Sequence, residues 1–262
     1  MTLTYRQHYS NCINSSDLNG SAMGGANSRE SLDVKLITPS DATEYQDLLQ
    51  SLSSKANTAF EECGKNTTTT AFSTEIIDPL EFEEVQQIFD LFYDEIKENI
   101  YGCEFTTNAI QIYRSHPNTA TKEASWLWHY DDNPEPHLKL LIYLSKVEED
   151  SAPFTYLIDK GDNARKMTSS RISPTQRTAQ EFVGSRIPDS VIEQYKLFSY
   201  REHALCGEMG TSFVFDPNII HKATVPREGT HRDVLSYHIH PVSHKRPCAN
   251  FAGQDVKTYG LD

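Results

Sequence analysis

His129, Asp131 and His221 are the residues whose types and spacing suit them best to chemistry. The first two stand in Trp126-Leu-Trp-His-Tyr-Asp-Asp132, and His221 closes the distant run Phe215-Asp-Pro-Asn-Ile-Ile-His221. Two imidazoles and one carboxylate are the donor set of non-haem Fe(II) sites, in which three protein ligands fill one face of the metal and leave the other face open. Such an ion needs neutral imidazoles and one hard charged oxygen. A strand supplies one of each at i and i+2, because alternate residues point to the same side. Asp132 then projects the other way and reads as a turn residue before Asn133-Pro134. An isolated His-x-Asp triplet arises often by chance, so the remote histidine gives it weight.

Arg232 follows His221 by eleven positions, across the turn-rich Pro226-Arg-Glu-Gly-Thr230. If the flanking strands form a hairpin, Arg232 lies near His221 across the ladder. A guanidinium grips a carboxylate with two parallel hydrogen bonds and stays charged at any relevant pH. It therefore suits the far end of a dicarboxylate whose other end chelates the metal. Ser236 adds a hydroxyl if the strand is bulged or bent there.

These residues need elements to hold them. Tyr45, Leu48, Leu49 and Leu52 recur at helical spacing after Asp41 and Glu44, which are placed as an N-terminal capping pair. A second helix is expected from Asp78, a good N-cap with Pro79 behind it, to a stop at Gly102. Its stripe of Val85, Ile88, Phe89, Phe92, Ile96 and Ile100 reads as a face packed on a sheet. Beyond Gly102 the period shortens. Ala109 to Arg114 alternates, with Ile110 and Ile112 on one face and Gln111 and Tyr113 on the other, so the polar face is free to line a pocket. Further strands are expected at Leu138 to Leu144, Phe154 to Ile158, Thr211 to Phe215 and Val234 to Ile239. Between about 160 and 206 a polar insertion carries helix starts at Ser173-Pro174 and Pro188-Asp189, the latter leading into Val191, Ile192, Tyr195 and Phe198. Residues 1–33, rich in Asn, Ser and Gly, lack the apolar content to order themselves and are expected to form a flexible arm ahead of one domain spanning 34–262.

Composition excludes several classes. The chain of 262 residues carries a formal net charge of -13, with no basic stripe for a phosphate backbone, so a nucleic-acid partner is not expected. Five cysteines, Cys12, Cys63, Cys103, Cys206 and Cys248, are scattered and odd in number, which suggests reduced thiols rather than a disulfide framework. No apolar run reaches the roughly 18 residues of a membrane span, and the first residues do not form a signal peptide. A cytoplasmic protein with no membrane partner is expected. Other polar residues have plainer explanations. His238 and His240 form a second i, i+2 pair that is simplest as strand-face histidines. His116, His137, His203, His231 and His244 read as solvent-facing, and Trp126 and Trp128 as core. Arg114 and Lys139 would meet an anionic group if they faced inward, and ion pairs at the surface otherwise.

Trp128-His-Tyr-Asp131, the run Gly210-Thr-Ser-Phe-Val-Phe-Asp-Pro-Asn-Ile-Ile-His221 and the spacing to Arg232 resemble the Fe(II)/2-oxoglutarate-dependent oxygenases, most closely the phytanoyl-CoA dioxygenase-like branch. The resemblance covers about residues 105–242. It implies a mainly β fold with flanking α-helices: a double-stranded β-helix (jelly roll, cupin-like) core at about 105–242, with N-terminal helices at about 41–101 and the helical insertion at 160–206. It further implies His129, Asp131 and His221 as the catalytic iron ligands and Arg232 as the 2-oxoglutarate clamp. Ser236, Tyr113, Gln111 and Lys139 are candidates for further contacts to the co-substrate. The implied activity is a dioxygenase using Fe(II), 2-oxoglutarate and O2 on a C–H bond of a small-molecule substrate, such as an amino acid or secondary metabolite. Hydroxylation is the default, and desaturation or ring closure needs no other residues. Halogenation is disfavoured, because halogenating relatives have a small residue where this chain has Asp131. A cupin-like metalloenzyme without 2-oxoglutarate and a non-catalytic barrel binding protein are the alternatives.

Overall fold

The computed structural model describes residues 32–62, 66–117, 124–133, 137–167, 185–242 and 247–248. Residues 1–31 of the expected arm, the helix start at Ser173-Pro174, Cys12, Cys63 and His244 lie outside the described residues. Asp33, at the arm's expected end, accepts a hydrogen bond from the Ala164 amide at 2.5 Å and faces Lys166 at 3.4 Å.

The N-terminal helices form as local chemistry dictates. The Asp41 carboxylate accepts from the amides of Thr43 and Glu44 at 2.9 and 3.0 Å, satisfying donors that the first turn of α1 (Ala42–Glu61) leaves open. Tyr45, Leu49, Leu52, Ala56 and Phe60 form its buried stripe. The second expected helix is divided into three pieces. Asp78 caps a 3-10 turn, Pro79–Glu81, at the Leu80 amide. Phe82 is then extended, and α2 runs only from Glu83 to Ile96. Phe82 packs on the apolar core. A π-helical turn, Lys97–Tyr101, follows, and Gly102 closes it with φ of 67°, a left-handed position that glycine adopts at low cost.

Ten strands make two antiparallel sheets among the described residues. They are β1 (Val34–Leu36), β2 (Thr67–Thr69), β3 (Ser73–Ile76), β4 (Phe105–Ser115), β5 (Leu138–Tyr143), β6 (Phe154–Ile158), β7 (Arg201–Leu205), β8 (Ser212–Phe215), β9 (His221–Ala223) and β10 (Arg232–Pro241). The major sheet has the order β1-β8-β5-β10-β4-β3-β2, and the minor sheet β7-β6-β9. A short helix, α3 (Asp189–Leu197), follows the described part of the insertion.

Register shows how the major sheet sorts its two faces. Ile112, Leu235 and Ile142 are aligned in one row and Ile110, Tyr237 and Leu140 in the next. These pack with Leu49, Leu52, Phe89 and Phe92 of α1 and α2 into the largest core cluster. The opposite face carries three other rows: Ser73, Ser115 and Arg232; Glu75, Tyr113, Val234 and Tyr143; Gln111, Ser236 and Leu141. It looks into the sandwich, where Leu141, Tyr143, Phe154, Phe213, Phe215 and Val234 form a second core. A third cluster, including Trp128, Leu157, Ile187, Ile192 and Ile220, packs α3 with the minor sheet. The order is therefore helices, major sheet, interior, minor sheet and α3. Arg114 is on the helix side, where its guanidinium pairs with Asp233 at 2.7 and 2.6 Å and lies over the Phe60 ring. It does not reach the interior.

Candidate active site

His129 and His221 are joined backbone to backbone. Each amide donates to the other's carbonyl at 2.9 Å, so the segment around His129 continues the minor sheet beyond β9 as an isolated bridge rather than a regular strand. The Asp131 amide donates to the Pro217 carbonyl at 2.9 Å, and Asp132 takes a left-handed φ of 52°, turning the chain away as a turn residue does. Candidate ligand atoms of His129, Asp131 and His221 lie within 4.8 Å of one another, the sole such group of three among the described residues.

Hydrogen bonds set the chemical state of each donor. His129 Nδ1 lies 2.8 Å from the Leu127 carbonyl, and His221 Nδ1 lies 2.8 Å from the Ile219 carbonyl. A carbonyl only accepts, so in both rings Nδ1 carries the hydrogen and Nε2 presents its lone pair. Burial, together with the neighbouring His221, lowers the His129 pKa to about 2, and burial likewise lowers that of His221. Both imidazoles are neutral at physiological pH. Burial alone would raise the Asp131 carboxyl, but Lys139, His221 and His129 outweigh it and hold it well below the usual carboxylate range. One oxygen of Asp131 lies 3.7 Å from His129 Nε2, and the other accepts from Lys139 Nζ at 2.6 Å. Two neutral nitrogens and one ionised oxygen thus converge, a donor set that fits a divalent metal.

Arg232 reaches this site by a route other than a hairpin. β9 pairs with β6 and β10 pairs with β4 and β5, because the intervening residues carry the chain from the minor to the major sheet. Arg232 and His221 therefore face each other across the interior, lining one pocket of about 300 Å³. The Arg232 guanidinium donates to the Tyr113 hydroxyl at 3.5 Å, while its buried Nε has no hydrogen-bond partner among the described residues. Ser236 shares the pocket face with Arg232 through plain strand alternation. The bulge in β10 lies further on, between His238 and Ile239.

Gln111, Tyr113 and Lys139 all line the pocket. Gln111 donates to Glu75 at 3.0 Å, and burial pushes the Glu75 carboxyl up while that bond pulls it down. Glu75, Arg186, Ser125 and Lys222 also line the wall and are not foreshadowed by any motif. Arg186 is placed by a bridge to His129. His137 is buried rather than solvent-facing, 3% exposed, because it packs edge-on against His238 with ring centroids 5.6 Å apart. Both Trp126 and Trp128 are buried.

No protein-family model matches the sequence, and no curated protein matches it. Solved structures do match in fold. EctD from S. alaskensis in its apoform aligns with a TM-score of 0.54 and 15% identity, over 87% of this chain and 79% of that one. The non-heme alpha ketoglutarate dependent epimerase SnoN from nogalamycin biosynthesis aligns with a TM-score of 0.55 and 12% identity, over 84% and 83%. EctD with 2-oxoglutarate and 5-hydroxyectoine gives a TM-score of 0.54 at 15% identity, over 88% and 78%. With its antiparallel sheets and flanking helices, the chain has the double-stranded β-helix fold of these proteins.

Proposed function

We propose that the protein is a non-haem Fe(II) oxygenase dependent on 2-oxoglutarate, acting on a C–H bond of a small organic molecule. The observation that carries this is the meeting, in one pocket, of two neutral imidazoles and an ionised carboxylate with a buried guanidinium that has no ion pair among the described residues. His129, Asp131 and His221 would hold the metal. Bound there, Fe(II) with 2-oxoglutarate supplies the O2 chemistry that breaks an unactivated C–H bond and releases succinate and CO2.

The chain's own residues prepare that chemistry. Arg232, steadied by Tyr113, offers a fixed fork for the distal carboxylate of the co-substrate, and Ser236 lies on the same face to add a hydroxyl. Lys139 neutralises the oxygen of Asp131 that faces away from His129. Phe154, Phe215 and Leu141 give the pocket an apolar wall. The pocket is on the scale of a small-molecule site. That SnoN is alpha ketoglutarate dependent, and that EctD has been solved with 2-oxoglutarate, support the co-substrate. The spacing from Gly210 to Arg232 supports the phytanoyl-CoA dioxygenase-like branch, and hydroxylation is the default outcome.

The test is anaerobic loading with Fe(II) and 2-oxoglutarate, followed by air. A visible charge-transfer band under anaerobiosis and succinate formation in air are expected. His221→Ala abolishes the band, and Arg232→Ala raises the KM for 2-oxoglutarate at least about tenfold while Fe(II) binding persists. A wild-type protein that binds Fe(II) but yields neither band nor succinate overturns the proposal. An unchanged band and KM in Arg232→Ala would favour a cupin-like enzyme instead.

A further inference from the structure

With the metal site and Arg232 taken as above, the charged groups of the pocket do not all cancel. Asp131 is matched by Lys139 at 2.6 Å, and Lys222 by Glu202 at 3.1 Å while it lies over the Trp128 ring. Arg232 is reserved for the co-substrate. Two charges remain, Glu75 and Arg186, and among the described residues neither has an ion pair. Among the described residues, the Glu75 carboxylate accepts a hydrogen bond only from the Gln111 amide. Arg186 lines the same pocket as His129, Asp131 and His221, and its backbone pairs with that of His129.

Their places in the fold are complementary. Glu75 is on β3, aligned with Tyr113, on the interior face of the major sheet and towards its β2 edge. Arg186 pairs with His129, which pairs with His221, so it extends the minor sheet beyond β9. The two charges therefore stand on opposite walls, one on each sheet, beside the metal set. Phe72 and Trp126, whose rings meet edge-on at 5.7 Å, connect these walls, Phe72 leading into β3 and Trp126 into the His129 segment. Opposite charges that share a pocket without touching each carry a desolvation cost that a ligand of only one sign leaves half unmet. A ligand bearing both signs meets it at both ends.

We infer that the substrate is a small zwitterion, an amino acid or a cyclic derivative of one, whose ammonium is received by Glu75 and whose carboxylate is received by Arg186. This rests on the Fe(II)/2-oxoglutarate reading of the same pocket. Glu75 and Arg186 are then the residues that select the substrate and present its carbon skeleton to the metal. The raised proton affinity of Glu75 fits a carboxylate that awaits a cation.

The experiment is a panel of proteinogenic and cyclic amino acids, each beside its carboxamide, which lacks the carboxylate, and its N-acetyl form, which lacks the ammonium. Two readouts are taken: perturbation of the anaerobic Fe(II)/2-oxoglutarate charge-transfer band, and calorimetric binding to the metal-free protein. At least one free amino acid is expected to perturb the band and to stimulate succinate formation, while its carboxamide and N-acetyl forms bind roughly tenfold to a hundredfold more weakly. In Glu75→Gln the preference for the free amine over the N-acetyl form collapses, and in Arg186→Gln the preference for the acid over the carboxamide collapses. Both variants are first checked for native melting and for formation of the 2-oxoglutarate band. A band that forms normally but responds to no zwitterion, or equally to the blocked forms, overturns the inference and leaves the function intact. If no band forms, the function falls, and calorimetry on the metal-free protein decides the inference by the same comparison.

Discussion

Asp131 shows how one side chain is made ready by its neighbour. Its second oxygen is held by Lys139 at 2.6 Å, and outer partners of this kind fix the orientation and charge of a ligand. Lys139→Met is expected to weaken Fe(II) binding by about tenfold or more, read from anaerobic titration, with the fold intact by circular dichroism. Arg114, by contrast, is structural. Its pairing with Asp233 at 2.6 Å lies under the helices, with the Asp233 side chain only 6% exposed. Arg114→Met leaves that buried carboxylate with only the part-exposed His231 at 3.6 Å and is expected to destabilise the protein by about 3 kcal/mol. The double substitution Arg114→Met with Asp233→Leu should recover most of the loss in urea denaturation. Both residues look alike in the sequence, a basic residue in an apolar strand. Lys139 and Arg114 were separated only by which face of the sheet each one joined.

At the level of elements, local signals placed the apolar stripes but not every boundary: Asp78 caps a 3-10 turn, and α2 starts only at Glu83. Asp41 caps α1 as its spacing to the first apolar turn suggests, and Asp41→Ala is expected to cost about 1 kcal/mol, measured as a lower midpoint of denaturation. Phe89 in α2 touches the rings of Phe105, Tyr93 and Tyr237, and Phe89→Ala should cost about 3–5 kcal/mol. The alternation of Ile110 and Ile112 against Gln111 and Tyr113 named both faces of β4 correctly, because a period of two is a local property. What local patterns cannot carry is pairing across long separations. The His221 to Arg232 connection looks like a hairpin from its Pro and Gly content, yet it crosses between sheets, a choice made by β6 and β4 far away in sequence. His137 looks polar in its surroundings and is buried by β10. Glu75 and Arg186 had no motif to mark them, since a three-residue pairing and a single bridge leave no periodicity.

For the molecule as a whole, buried imidazoles couple folding to pH. His137 and His238 are brought down to about 3 and about 2 by burial and by the charges around them, against an unfolded value of about 6.5. Between those limits the unfolded chain binds protons that the native chain refuses, so stability falls as pH falls through about 6.5 and continues to fall towards 3. The melting temperature of the metal-free protein in EDTA is expected to drop between pH 7.5 and 5.5, and His137→Phe should flatten that slope. Asp131, whose folded value is depressed, acts in the same direction at lower pH, since its contribution is lost as it becomes protonated. The two-sheet placement of His221 and Arg232 has a mechanical side as well. A dicarboxylate held at one end by the metal on the minor sheet and at the other by a guanidinium on the major sheet is a removable rivet through the sandwich. Loading should slow backbone amide exchange at His129, Asp131 and Ala223, all outside the helix-packed core, because a ligand bound only by the native state opposes local opening there. On the proposed function, the co-substrate would then also set how tightly the two halves of the barrel hold together.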